Sequence, residues 1–150
     1  MSPEEQNNLP HISVVSQYIK DLSFENPNAP FIMENKEDKP KIDLSLDVDI
    51  NQQQEENFFE VRIMINAKAS INDKVMFIID LDYAGIFNLM NFPKDKIEPI
   101  LAVHCPSVLF PFARKIIADT TQGGSFQPLM IDPIDFSILY NKKLAEKNNS

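Results

Sequence analysis

Tryptophan is absent from this chain of 150 residues, cysteine occurs once and glycine three times. The lone Cys105 excludes an intrachain disulfide, and with it the framework of small secreted domains. With glycine only at 85, 123 and 124, no loop lets a backbone close around a phosphate, which argues against a nucleotide-driven machine. One cysteine and two distant histidines, His11 and His104, lack the ligand spacing of a zinc site, so no metal is expected. An excess of positive charge is missing as well: 14 Lys and Arg stand against 22 Asp and Glu, a net charge of -8. Such a chain repels phosphate backbones, so nucleic acid is an unfitting partner; the charge either serves solubility alone or suits a basic protein segment. No apolar run approaches the roughly 20 residues of a membrane span, so no direct membrane insertion is expected. The start Met1-Ser2-Pro3-Glu4-Glu5 carries no basic or apolar leader. The expected location is the reducing cytoplasm.

What is present is core material: 43% hydrophobic and 24% charged residues predict a single domain over 1–150, with flexible ends at 1–10 and 145–150. From His11 to Glu25 a period of two predicts a strand, with Ile12, Val14, Tyr18, Leu22 and Phe24 on one face and Gln17, Asp21 and Glu25 on the other. Asn26-Pro27-Asn28-Ala29-Pro30 breaks it into a loop that runs to Pro40 and holds the apolar cluster Phe31-Ile32-Met33. Lys41 to Ile50 alternate strictly, Ile42, Leu44, Leu46, Val48 and Ile50 against Asp43, Ser45, Asp47 and Asp49. Phe59 to Ile71 and Val75 to Tyr83 repeat the alternation around Asn72-Asp73, two residues that tolerate the left-handed region and so suit a tight hairpin. The four strands predict an antiparallel meander with one apolar and one wet face.

After Tyr83 the period lengthens. Pro93 and Pro99 bracket the start of a first helical segment, in which Ile97, Ile100, Leu101 and His104 have helical spacing, and it is expected to stop at Pro106. Ser107 is expected to cap a second helix striped by Leu109, Phe112, Ala113, Ile116 and Ile117, kinked at Pro111 and ended by Gly123-Gly124. Asp132-Pro133 reads as the start of a last helix lined by Phe136, Leu139, Tyr140 and Leu144. The fold class is α+β: a four-stranded antiparallel sheet with helices packed on one side. The apolar residues on several sides of the kinked helix predict cover by partner subunits.

Catalytic constellations are thin. His104-Cys105 invites a thiol-nucleophile reading, but neighbours on a helix point about 100° apart, and a free cysteine is usually a small buried hydrophobe. Asp43, Ser45, Asp47 and Asp49 imitate a calcium loop but lack its glycine and alternate with apolar residues, as a solvated strand face does. No catalytic, cofactor-binding or metal-binding residue is assigned. The aromatics, 11 Phe and three Tyr, are mostly core; Phe31, Phe110, Phe112 and Tyr140, with the six Met, are candidates for an adaptable apolar groove.

Three segments carry a resemblance: residues 21–30, DLSFENPNAP; 104–114, HCPSVLFPFAR; and 126–136, FQPLMIDPIDF. In order and spacing, from about Val14 to Tyr140, the chain resembles the SecB protein-export chaperones. The resemblance implies a cytoplasmic, ATP-independent bacterial chaperone without cofactor. It implies a homotetramer, a dimer of dimers, with helices sandwiched between layers of sheet. It also implies grooves that hold unfolded preproteins for delivery to the SecA motor. Carried over by position, the client groove takes Phe31, Met33, Leu44, Phe110, Phe112 and Tyr140, and the SecA surface takes Asp21, Glu25, Ile78 and Asp80. The family often has a Trp in the crossover loop, for which Phe31 or Met33 substitutes, and commonly ends in an acidic tail, where this chain is basic to neutral. Two other readings compete: a structural homo-oligomeric module without a client, and a small Cys-dependent enzyme.

Overall fold

The computed structural model describes residues 8–30 and 37–148. Four strands come first: β1 (His11–Glu25), β2 (Lys41–Gln52), β3 (Phe58–Ile71) and β4 (Lys74–Met90). Then follow α1 (Lys94–Pro99), a π-helical turn (Ile100–His104), α2 (Cys105–Gly123) and α3 (Phe136–Asn148). The expected α+β class and antiparallel sheet are present, with the helices on one face. α3 runs on to Asn148, so residues 145–148 are helical and exposed.

Alternation makes β3 and β4 the centre of the sheet. Val61, Ile63, Ile65, Ala67 and Ala69 of β3 are almost sealed from water, as are Ile79, Leu81, Phe87 and Leu89 of β4. Their opposite face carries Arg62, Asn66, Lys68, Asp80 and Asp82. Asn72 and Asp73 turn the β3–β4 hairpin with φ of 51° and 64°, the double left-handed geometry that their side chains tolerate.

The strand order is β1-β4-β3-β2, which corrects the expected meander. β1 pairs with β4 and not with its sequence neighbour β2, so β1 and β2 stand on opposite edges of the sheet. The length of β4, 17 residues, lets it pair along both sides. Asn28, just after β1, donates from Nδ2 to the Val75 carbonyl at 2.7 Å.

β1 also departs from simple alternation. Register shifts between Val14 and Ser16 and between Ile19 and Asp21 each insert one residue. Each insertion flips the strand, so the two cancel: Ile12, Val14, Leu22 and Phe24 face the helices as predicted, while the stretch between is inverted. Tyr18 therefore lies on the outer face, where its hydroxyl donates to the Glu60 carboxylate. Gln17 lies inside and accepts from the Tyr83 hydroxyl at 3.0 Å.

Pro106 does not stop the helix. α1, the π-turn and α2 form one run of 30 residues, Lys94–Gly123. The wider π-turn, in which the Cys105 N–H reaches the Ile100 carbonyl, absorbs the missing donor of Pro106. Ser107 is no cap; its hydroxyl donates back to the Val103 carbonyl at 2.6 Å. By length and composition this run meets the requirement for a membrane span, against the expectation from short apolar stretches. It lies on the sheet, with Leu101, Cys105, Leu109, Ala113 and Ile117 buried against it. Gly85 admits it, since a Cβ there would stand 2.8 Å from Leu109 Cδ2.

The last helix begins three residues after the expected Asp132. Asp135 is its cap, accepting the Ser137 N–H at 3.0 Å.

Candidate functional site

The two faces of the sheet differ in chemistry because each strand sorts its side chains by parity. On the outer face, β1 and β4 bring the expected acidic surface together. Asp21 stands opposite Asp82, Ser23 opposite Asp80 and Glu25 opposite Ile78, so Asp21, Glu25, Ile78 and Asp80 share one strip. Asn66 extends it onto β3 by donating its amide to the Asp80 carboxylate. Like charges directly opposite repel, and Arg62 relieves the Asp21–Asp82 pair, with its Nε 3.3 Å from Asp82 and Nη1 3.5 Å from Asp49. A shallow depression of about 520 Å³ forms here, with Met64 in its floor and Asp21, Asp47, Asp80 and Asp82 around it. From the sequence Asp82 shares an exposed acidic patch with Asp80 but is not among the four residues carried over as the SecA surface, and Asp47 is read only as part of a solvated strand face. Strand parity was the available signal for both; the order of the strands, which decides what stands beside what, was not.

The helix side is apolar and interrupted. One cleft of about 190 Å³ lies between β2 and the helices, lined by Val48, Ile50, Ala102, Leu139, Tyr140 and Leu144 together with the charged Glu98, Lys143 and Lys147. Partial desolvation, and after it the Glu98 carboxylate, pushes the Tyr140 phenol up. A second cleft, of about 450 Å³, lies by the end of the crossover, lined by Pro40, Met76, Phe77, Phe126 and Leu129 among others. Two rings of its wall, Phe77 and Phe126, lie 5.1 Å apart, and Phe24 packs on Phe77 at 6.0 Å. From the sequence Phe77 falls only in the alternating stretch Val75 to Tyr83 and Phe126 only in the segment 126–136.

The six groove candidates fall into different settings. Phe31 and Met33 lie outside the described residues. Phe112 is 49% exposed and Leu44 45% exposed, so both offer apolar surface to solvent. Tyr140 lines the smaller cleft, whose lining does not include Leu44. Phe110 is 7% exposed and meets Phe136 edge-on at 6.1 Å, so within this chain it belongs to the core.

Cys105 is fully buried, and burial pushes its thiol up to about 12. A protonated thiol out of reach of solvent is no nucleophile at neutral pH. His104 beside it on the chain is exposed. Among the described residues, no three His, Cys, Asp or Glu side chains are grouped to hold a metal ion.

Comparison with known proteins agrees with this geometry. The family described as Preprotein translocase subunit SecB matches residues 5–147. The chain is 55% identical over 141 residues to the protein-export protein SecB of Rickettsia felis, covering 94% of this chain and 93% of that one. It is 51% identical over 149 residues to the SecB of Rickettsia massiliae, covering 99% and 98%. Among solved structures, a SecB-like chaperone of Mycobacterium tuberculosis in complex with a ChAD peptide from the HigA1 antitoxin shares the fold. The TM-score is 0.67 at 15% identity, over 82% of this chain and 90% of that one. A family match over nearly the whole length, with the strand order and helix-side clefts described above, leads to one conclusion: this chain belongs to the SecB family.

Proposed function

We propose that this chain is an ATP-independent chaperone of protein export, which holds unfolded preproteins in the helix-side clefts and delivers them to SecA from the acidic outer face. The observation that carries the reading is the division of one sheet into two unlike surfaces. The clefts offer aromatic and methionine side chains, which repack around many sequences. The outer face offers carboxylates to a basic partner. The two surfaces lie on opposite faces of one sheet, so both can be occupied at once. The peptide bound to the Mycobacterium tuberculosis SecB-like chaperone is a parallel for segment binding in this fold.

The working assembly is a cytoplasmic homotetramer, a dimer of dimers. Exposed Val14, Val15, Ile19 and Leu22 along the β1 edge supply apolar area for partner subunits. Several grooves on one particle then raise affinity for a long client through effective concentration. The chemistry is binding alone, and the buried Cys105 takes no part in it.

The test is suppression of aggregation of a slowly folding client without nucleotide. Activity at one tetramer per client is expected; its absence counts against the chaperone and favours the structural module. Asp21→Ala with Asp80→Ala is expected to weaken SecA binding and to spare client binding. Loss of both would mean that the two surfaces are misassigned.

A further inference from the structure

Asp47 belongs to both faces. Strand parity sends it outward with Asp43 and Asp49, and it lines the acidic depression with Asp21, Asp80 and Asp82. But β2 is an edge strand, so a side chain there can curl around the rim of the sheet. The Asp47 carboxylate does so: its Oδ1 accepts the Val48 N–H at 2.9 Å and the Lys143 ammonium of α3. Lys143 in turn lines the apolar cleft with Tyr140 and Leu144. One ion pair thus connects the acidic depression to the helix that walls the cleft.

α3 depends on such contacts. Phe136 at its start is its buried residue, while Leu139, Tyr140 and Leu144 are half-buried. A helix of 13 residues has little stability of its own, so its C-terminal half depends on tertiary contacts, the cleft contacts and the ion pair among them. The two side chains of the pair are 46% and 61% exposed. A pair of that exposure shifts an equilibrium by about two- to fivefold, which a competing cation in the same carboxylate row can match. Lys143 itself demonstrates that an ammonium is accepted at Asp47.

We propose that the Asp47–Lys143 pair is a latch: a basic segment docked on the acidic face takes Asp47 from Lys143 and lets the C-terminal half of α3 lift from the cleft. This rests on the reading of the acidic face as a docking surface and deepens it, because docking on one face then changes the client cleft on the other. An incoming lysine or arginine replaces the Lys143 ammonium at the carboxylate; no bond other than this hydrogen-bonded pair is exchanged.

The experiment follows hydrogen–deuterium exchange of the α3 amides at low ionic strength, with and without a short oligolysine peptide whose binding is read separately by fluorescence anisotropy. In the unaltered protein the peptide is expected to speed α3 exchange about two- to fivefold. In Lys143→Ala, α3 exchange is expected to be raised to that level without peptide and to change no further on adding it. Lys143→Arg, which keeps the charge, is expected to behave as the unaltered protein, and protected β3 and β4 amides verify that each variant folds. Peptide that binds without moving α3, or slow α3 exchange in Lys143→Ala, overturns the latch. If binding is then still weakened by Asp21→Ala with Asp80→Ala, the docking reading stands alone. Peptide that does not bind overturns both.

Discussion

The Phe24 ring lies against Gly124 so closely that a methyl group there would sit 2.7 Å from Phe24 Cζ. The glycine is not there for its backbone, since its φ of -88° is open to any residue. It is there because the end of α2 meets the end of β1 at this point, where Asn26 also donates to the Gly124 carbonyl at 3.1 Å. Phe24 has little room to retreat, with Phe77 packed on its other flank. Gly124→Ala is expected to destabilise by about 1–3 kcal/mol through overpacking. Gly123→Ala, which meets nothing within 4 Å, is expected to change stability little. Urea unfolding of the two variants checks the contrast.

Core and groove aromatics separate by substitution. Phe110→Ala removes a ring packed on Phe136 and is expected to cost about 3–5 kcal/mol. Phe112→Ala removes an exposed ring and is expected to leave the stability of the protomer almost unchanged while weakening client binding. Denaturant midpoints and client affinity, measured on both, decide it; a stable Phe110→Ala would remove that residue from the core.

Cys105 predicts a pH dependence. Its thiol titrates near 9.0 when exposed and near 12 when buried, so the folded state holds the proton through that interval while the unfolded state gives it up. Stability from this group is therefore complete below about pH 9 and falls as pH rises towards 12. Cys105→Ala is expected to flatten part of that fall. Native protein is expected to resist iodoacetamide at pH 8 and to react fully in urea, because the thiol is sealed off.

Asp135, and not Asp132, starts the last helix. Its carboxyl is held below the usual range by the Ser137 hydroxyl and then by the Ser137 backbone N–H. A depressed value means that the cap's contribution is complete above the ordinary carboxylate range and is lost as pH falls below that range, through the depressed folded value. Asp135→Ala is expected to speed amide exchange in the first turn of α3, and Asp132→Ala to leave it unchanged. Equal effects would show that the cap is misassigned.

Alternation was strong enough in β2, β3 and β4 to name strands and faces from the chain alone, because a buried face tolerates no polar intruder. The Asn72-Asp73 turn was readable for the same local reason. Where local signals compete, the reading failed. Pro106 looked like a stop because the sequence does not reveal that a π-turn will take up the lost hydrogen bond. Tyr18 looked inward because two inserted residues in β1 leave the pattern at both ends intact. Asp132-Pro133 outranked Asp135 because a proline is a louder signal than an aspartate.

The amino-acid sequence by itself determined the strands, their apolar faces, the acidic character of the outer surface and the family. These follow from residue types at short spacing, where sterics and solvation act on neighbours in the chain. Only the tertiary structure decided that β1 lies beside β4, that Asp21 faces Asp82, that Phe110 is core while Phe112 is open, and that Lys143 reaches Asp47. Those pairings join residues up to 96 positions apart. Which distant elements meet is set by the packing of the whole sheet and helix layer, and no local pattern contains it.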